Sequence, residues 1–207
     1  MGEIQSGADS SVKLTIDSTP KAARVVPYDS AGVYRGAKAT YSGATASNVV
    51  AAAGAAMFFV IQASATKTIR LQRIIVSGFT LTSVAYNEVV AEKWSTAPTG
   101  GTITTLSQIP FNAADAAGTA ALCQVYTVAP TEGTLVGTLD SRRILLQATT
   151  AAAAGIPATV MFDWRYQGGE MLSPTLRLNT NDCISVAFGS APATAVTCAV
   201  EVEWTEE

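Results

Sequence analysis

Strict alternation near the C-terminus, in the segment VTCAVEVEWTEE, places the tightest limit on how this chain can fold. Its apolar set is Val196, Cys198, Val200, Val202 and Trp204, and the residues between them are small or charged. A period of two is typical of a β-strand that buries one face, because successive side chains point to opposite sides. The segment therefore predicts a strand with a core face and a wet face that carries Glu201 and Glu203.

A related pattern extends through residues 57–207, where short apolar stretches alternate with clusters of Gly, Pro and Asn. No stretch there repeats apolar residues at the spacing of an amphipathic helix, so we predict an all-β fold. In TIRLQRIIVSG the apolar phase shifts around Arg73, which indicates a β-bulge. The predicted architecture is an antiparallel β-sandwich with jelly-roll connectivity, preceded by an extended N-terminal arm.

Three regions are predicted along the chain. Residues 1–40 have too few apolar side chains for a core of their own, and we interpret them as the arm. Residues 41–56 are small and low in complexity, which favours a linker or a loose short helix, and residues 57–207 are predicted to form the sandwich. The arm is expected to bind a partner through its apolar, aromatic and basic side chains: Ile4, Leu14, Ile16, Arg24, Val25, Val26, Tyr28 and Tyr34.

Charge excludes several classes of protein. The net charge is −3 and the 13 basic residues are scattered, so no nucleic acid is expected as a partner. The apolar stretch VVAAAGAAMFFVI is shorter than the roughly 20 residues that span a bilayer, so no membrane partner is expected. Charged residues make up only 14 % of the chain, which favours a surface covered by neighbouring subunits.

Residues suited to catalysis are scarce. The chain has no histidine, which removes the commonest general base and metal ligand, and we predict no enzyme activity, cofactor or metal. Asp163 and Glu170 flank the segment WRYQGG and could form the carboxylate pair of a glycosidase, but a strand edge and a turn explain them better. Glu201 and Glu203 could share a calcium ion, but a charged face that discourages edge pairing is the favoured interpretation.

The cysteines and aromatic residues have structural interpretations as well. Three dispersed cysteines, Cys123, Cys183 and Cys198, predict buried free thiols rather than a disulfide framework. Trp164 and Tyr166 would be the platform if the sandwich were a carbohydrate-binding module, which is one alternative function.

Several motifs together resemble a family of known proteins. They are SATKTIRLQRIIVSG, EKWSTAPTGGT, GTLVGTLDSRRI and VEVEWTEE within residues 57–207, with TIDSTPKAARVVPYDSAG nearer the N-terminus. In combination they resemble structural proteins of tailed-bacteriophage virions. The resemblance implies a non-enzymatic β-sandwich made in the host cytoplasm and located in the virion.

Three functions follow as hypotheses. The first is a capsid decoration or cement protein, expected to be a homotrimer, whose arm lies on the major capsid protein or another virion protein. The second is a tail, baseplate or neck-fibre subunit of a phage particle. The third is a carbohydrate-binding module or receptor-binding tip, which a glycan array without hits would exclude.

Overall fold

The computed structural model describes two compact units, residues 1–38 and residues 39–207. It describes residues 39–45, 57–80, 86–148, 157–165, 173–192 and 195–207 in full, and the backbone alone of residues 4–5, 13–16, 23–25, 49–51 and 85. None of these residues is helical, so the predicted all-β class is confirmed for the described part of the chain.

The first unit contains a small antiparallel sheet with the strand order β1-β2-β3. Its strands are β1 (Ile4–Gln5), β2 (Lys13–Ile16) and β3 (Ala23–Val25). The predicted arm therefore contains paired strands.

The second unit contains two antiparallel sheets that pack together as a β-sandwich. A seven-stranded sheet has the order β10-β4-β16-β7-β13, with β5 also paired to β16 and β14 to β7. Its strands are β4 (Ala39–Ala44), β5 (Val49–Ala51), β7 (Ile69–Thr80), β10 (Ile109–Pro110), β13 (Ala158–Asp163), β14 (Thr175–Leu176) and β16 (Val196–Glu206).

The second sheet of the sandwich has six strands in the order β12-β8-β15-β6-β11-β9. They are β6 (Met57–Gln62), β8 (Ala85–Trp94), β9 (Thr102–Thr105), β11 (Cys123–Val128), β12 (Leu135–Leu146) and β15 (Cys183–Phe188). The sandwich thus begins at residue 39, and the segment predicted as a linker, 41–56, contributes β5 and most of β4. In β4 the buried positions are Tyr41 and Gly43. Because only one of these two residues has a large apolar side chain, no strand was predicted here from the sequence.

The core lies between the two sheets. Phe58 and Val186 enter it from the six-stranded sheet, and Leu71, Phe162 and Trp204 enter it from the seven-stranded sheet. Each large side chain removed from water in this way contributes about 1.5–3 kcal/mol. All five apolar residues of the alternating C-terminal segment are buried, which confirms the predicted core face.

The predicted bulge is confirmed in β7. In its register with β16, Glu203 faces Arg73 but Trp204 faces Leu71, so Gln72 is the extra residue. The carbonyl of Gln72 accepts a hydrogen bond of 2.9 Å from the backbone N–H of Trp164, which ties the bulge to the end of β13. The bulge lets Leu71 and Ile74 both reach the core despite their odd spacing.

Candidate functional site

The predicted arm residues are only partly described. Ile4 lies in β1, Leu14 and Ile16 in β2, and Arg24 and Val25 in β3, with Leu14 in register with both Ile4 and Val25. The structure therefore brings three of the predicted residues into one row across the small sheet. Five of the eight predicted residues are thus described, and three lie outside the described residues: Val26, Tyr28 and Tyr34.

A ladder of charges crosses the outer face of the seven-stranded sheet. Arg73 on β7 is in register with Glu203 on β16 and with Asp163 on β13. Its guanidinium forms ion pairs with Glu203 and, at 3.1 Å, with Glu201. Arg165 lies 3.9 Å from Glu203 and 2.6 Å from Asp163, so it neutralises the same carboxylates from the β13 side.

This ladder corrects the interpretation of Glu201 and Glu203. They were expected to keep a strand edge from pairing, but β16 lies between β4 and β7 inside the sheet. Their carboxylates instead balance the charge of Arg73. Within the described part of the chain, no three His, Cys, Asp or Glu side chains are grouped so as to hold a metal ion.

Asp163 was also one member of the candidate glycosidase pair. A hydrogen bond from the Arg165 side chain is the main cause that lowers the pKa of Asp163 to about 2. At neutral pH this carboxyl is ionised and has no proton to give to a leaving group. Glu170, its proposed partner, lies outside the described residues.

Trp164, a candidate for sugar binding, is packed against the protein. Its ring is partly buried and stacks on Phe162, with centroids 5.9 Å apart and planes inclined by 10°. A sugar platform needs an exposed ring face, and one face of Trp164 is taken by Phe162. Tyr166 lies outside the described residues.

The three thiols are free and buried, as predicted. Burial raises the pKa of Cys123, Cys183 and Cys198 to about 12. A thiol with such a pKa is protonated at neutral pH and is a poor nucleophile. These cysteines therefore act as small core residues.

Exposed apolar side chains are concentrated at the edges of the sandwich. One group lies at the edge formed by β9 and β10 and the residues near them: Ile103, Ile109, Phe111 and Val128. The other group lies where β12 and its neighbour β8 form the opposite edge of the six-stranded sheet: Tyr86, Leu135, Val136, Leu139 and Leu145. Where such side chains form a continuous patch, the surface commonly binds another protein.

These two apolar edges were not predicted from the sequence. The stretch LVGTLDSRRILL has no clean alternation, and two register shifts in β12 explain why. A run of large apolar residues that departs from a period of two, beside glycines, was the signal in the sequence. It indicated an irregular edge strand but not what the strand binds.

Comparison with known proteins adds no relative. No protein-family model, curated protein or solved structure matches this chain. A search of the described residues for membrane spans found no helix with the length and apolar character needed to cross a bilayer.

Proposed function

We propose that this protein is a structural component of a tailed-phage particle, and specifically a decoration (cement) protein on the capsid. The observation that carries the proposal is the pair of sandwich edges with exposed apolar side chains. One edge is the group that includes Ile103 and Phe111, and the other is the group that includes Tyr86 and Leu145. A subunit of a large assembly needs contact surfaces on more than one side. The phage-like motifs support the same class of function.

Jelly-roll connectivity belongs to this proposal. Taken in chain order, the eight principal strands are β4, β6, β7, β8, β12, β13, β15 and β16. The first and last of them, β4 and β16, are neighbours, and β6 and β15 are neighbours in the other sheet. Two nested Greek keys generate this interleaved order, and viral capsid domains are among the proteins that use it.

The arm is proposed as the anchor. In this view, the segment from Ile4 to Tyr34 docks on the major capsid protein or another virion protein through its backbone and apolar side chains. Strand pairing with an exposed sheet edge of the partner would provide the affinity. Homotrimers on the shell would place three arms around one axis.

Deletion of the arm tests this proposal. A variant that lacks residues 1–38 removes one compact unit and leaves the sandwich whole. We expect it to unfold at the same denaturant concentration as the full chain but to remain in the supernatant when capsids of the source phage are sedimented. Co-sedimentation equal to that of the full chain would contradict the anchoring role.

Copy number separates the capsid from the tail. Quantitative mass spectrometry of purified particles should find hundreds of copies if the protein coats the shell. Six to a few dozen copies would instead place it in the tail, baseplate or neck. Binding of the purified chain to particular glycans on an array would favour the carbohydrate-binding alternative. The stacking of Trp164 on Phe162 argues against that alternative.

A further inference from the structure

Strand β12 is an edge strand with an unusual irregularity. It pairs with β8, and no described strand pairs with its other side. Its two register shifts leave Val136 and Leu139 as extra residues, and these are 64 % and 41 % exposed. Bulges commonly protect edges from association, but here they direct large apolar side chains into water.

The register with β8 assigns the other β12 side chains to the two faces of the sheet. Asp140 and Arg142 face the core side, because their partners on β8 are the core residues Ala91 and Val89. The opposite, outer face receives two leucines that are about half exposed, Leu135 at 49 % and Leu145 at 50 %.

We propose that β12 pairs antiparallel with β12 of a second copy of this chain, about a two-fold axis that passes through Ser141. Residues directly opposite one another in an antiparallel pair share a face. With Ser141 on the axis, Asp140 of each copy therefore lies opposite Arg142 of the other. Opposite charges meet twice across the axis, and the surface is complementary to itself. This contact between two copies does not rest on the proposed function.

The apolar residues fit the same register. If the two extra residues bulge on the open side as they do toward β8, Leu145 of one copy lies opposite Leu135 of the other. Tyr86, which is in register with Leu145, extends this apolar contact on the outer face. Leu135 and Leu145 of the two copies would then cover one another at both ends of the charged centre.

The backbone at the axis is available for this pairing. The N–H of Ser141 donates a 2.7 Å hydrogen bond to the Asp140 carboxylate, so it points to the open side and not to β8. The same carboxylate lies 2.8 Å from the Arg142 guanidinium within the strand. On association, the Ser141 N–H would donate instead to the carbonyl oxygen of Ser141 in the other copy. The Asp140 carboxylate would then pair with Arg142 of that copy. Such exposed ion pairs determine register more than affinity.

Charge exchange between two variants tests the register. Asp140→Arg places Arg opposite Arg142, and Arg142→Asp places Asp opposite Asp140, so each single variant should lose self-association. We expect sedimentation of the wild-type chain to show twice the mass of either variant at the same concentration. An equimolar mixture of the two variants should recover the wild-type mass, because each charge then meets its opposite across the axis.

The mixture separates this contact from a role within one chain. Loss of the Asp140–Arg142 pair inside a chain cannot be repaired by adding a different chain. Equal masses for wild type and single variants, or a mixture that stays at the variants' mass, would overturn the proposal. A cooperative unfolding transition in each of the three chains shows that all of them are folded; the midpoint of the wild type should rise with protein concentration, because association stabilises it.

A disulfide at the axis provides a second test. Ser141→Cys would place two thiols opposite each other, within the Cα separation of about 4.4–6.8 Å that a disulfide spans. We expect mild oxidation to yield a covalent dimer on a non-reducing gel, and Asp140→Arg in the same chain to prevent it. Thr104→Cys, exposed on β9 at the opposite edge of the sheet, is the matched control. Equal crosslinking of both cysteine variants would contradict the assignment.

Discussion

Strands β16 and β12 are almost equal in length, with 11 and 12 residues, and differ in nearly everything else. β16 lies between β4 and β7, and all but two of its residues are buried. β12 has one described neighbour, and most of its side chains are exposed. The difference shows that position within the sheet, more than the composition of a strand, determines which residues stabilise the fold and which are free to bind.

Their charge pairs differ for the same reason. Arg73 meets Glu203 beside β16, where their side chains are 21 % and 11 % exposed. Arg142 meets Asp140 on β12, where its side chain is 52 % exposed. An ion pair screened by water adds little to stability, whereas one that is mostly buried cannot lose a partner without a large cost. We therefore expect the first pair to affect folding and the second to affect association.

The largest expected effect is at Trp204 on β16. Trp204 is fully buried, stacks on Tyr41 at 5.8 Å and donates a 3.0 Å hydrogen bond from Nε1 to Glu206. Trp204→Ala should lower the free energy of unfolding by about 3–5 kcal/mol, measured by urea denaturation, because it leaves a cavity. Tyr86→Ala beside β12 should change it by no more than about 0.5 kcal/mol. Similar losses in the free energy of unfolding for the two variants would contradict the contrast between β16 and the edge at β12.

A smaller difference is expected between two arginines. Arg73→Ala leaves the mostly buried Glu203 without its closest cation, and we expect a loss of about 2–3 kcal/mol in the free energy of unfolding. Arg142→Ala should cost less than about 0.5 kcal/mol in the same denaturation experiment. A cost at Arg142 as large as that at Arg73 would show that the edge is structural.

The sequence predicted the faces of the strands better than their neighbours. Alternation identified the buried set that includes Trp204, and the phase shift near Arg73 located the bulge, because both depend on side chains within one strand. Whether a strand lies at the centre or the edge depends on partners distant in sequence. For that reason, the two carboxylates of β16 were interpreted as edge protection when they lie inside the sheet.

Some contacts of the fold gave no local signal in the sequence. Glu206 is buried, and its carboxylate accepts hydrogen bonds from the backbone N–H and the hydroxyl of Thr119, at 2.7 and 2.9 Å. Thr119 lies far away in the sequence, so only the tertiary fold makes a buried carboxylate possible here. For β12 the sequence pattern indicated irregularity, but no pattern within the strand specifies which strands lie beside it.

Two glycines show how closely the neighbouring strands enclose the backbone of β7 and of β12. A Cβ on Gly78 of β7 would lie 2.8 Å from the carbonyl oxygen of Thr197 on β16, whereas a Cβ on Gly137 of β12 would meet nothing within 4 Å. Gly78→Ala should therefore cost about 1–2 kcal/mol in the free energy of unfolding. Gly137→Ala should be neutral or stabilise by up to about 1 kcal/mol, since it restricts the unfolded chain. Equal effects in denaturation curves would show that β12 is as tightly enclosed as β7.

The smallest effect concerns β13, which borders the same sheet that has β16 near its centre. The pKa of Asp163 is lowered to about 2 from an ordinary value of 3.8, chiefly by the hydrogen bond from Arg165. The folded state therefore binds the proton less readily than the unfolded state, so this contribution is present above about pH 4 and disappears as the pH falls toward 2. Wild type should have a higher thermal midpoint than Asp163→Asn at pH 7, and the gap should close near pH 2. Arg165→Ala should reproduce the loss at pH 7, and a gap that stays constant with pH would mean that Asp163 stabilises β13 by packing alone.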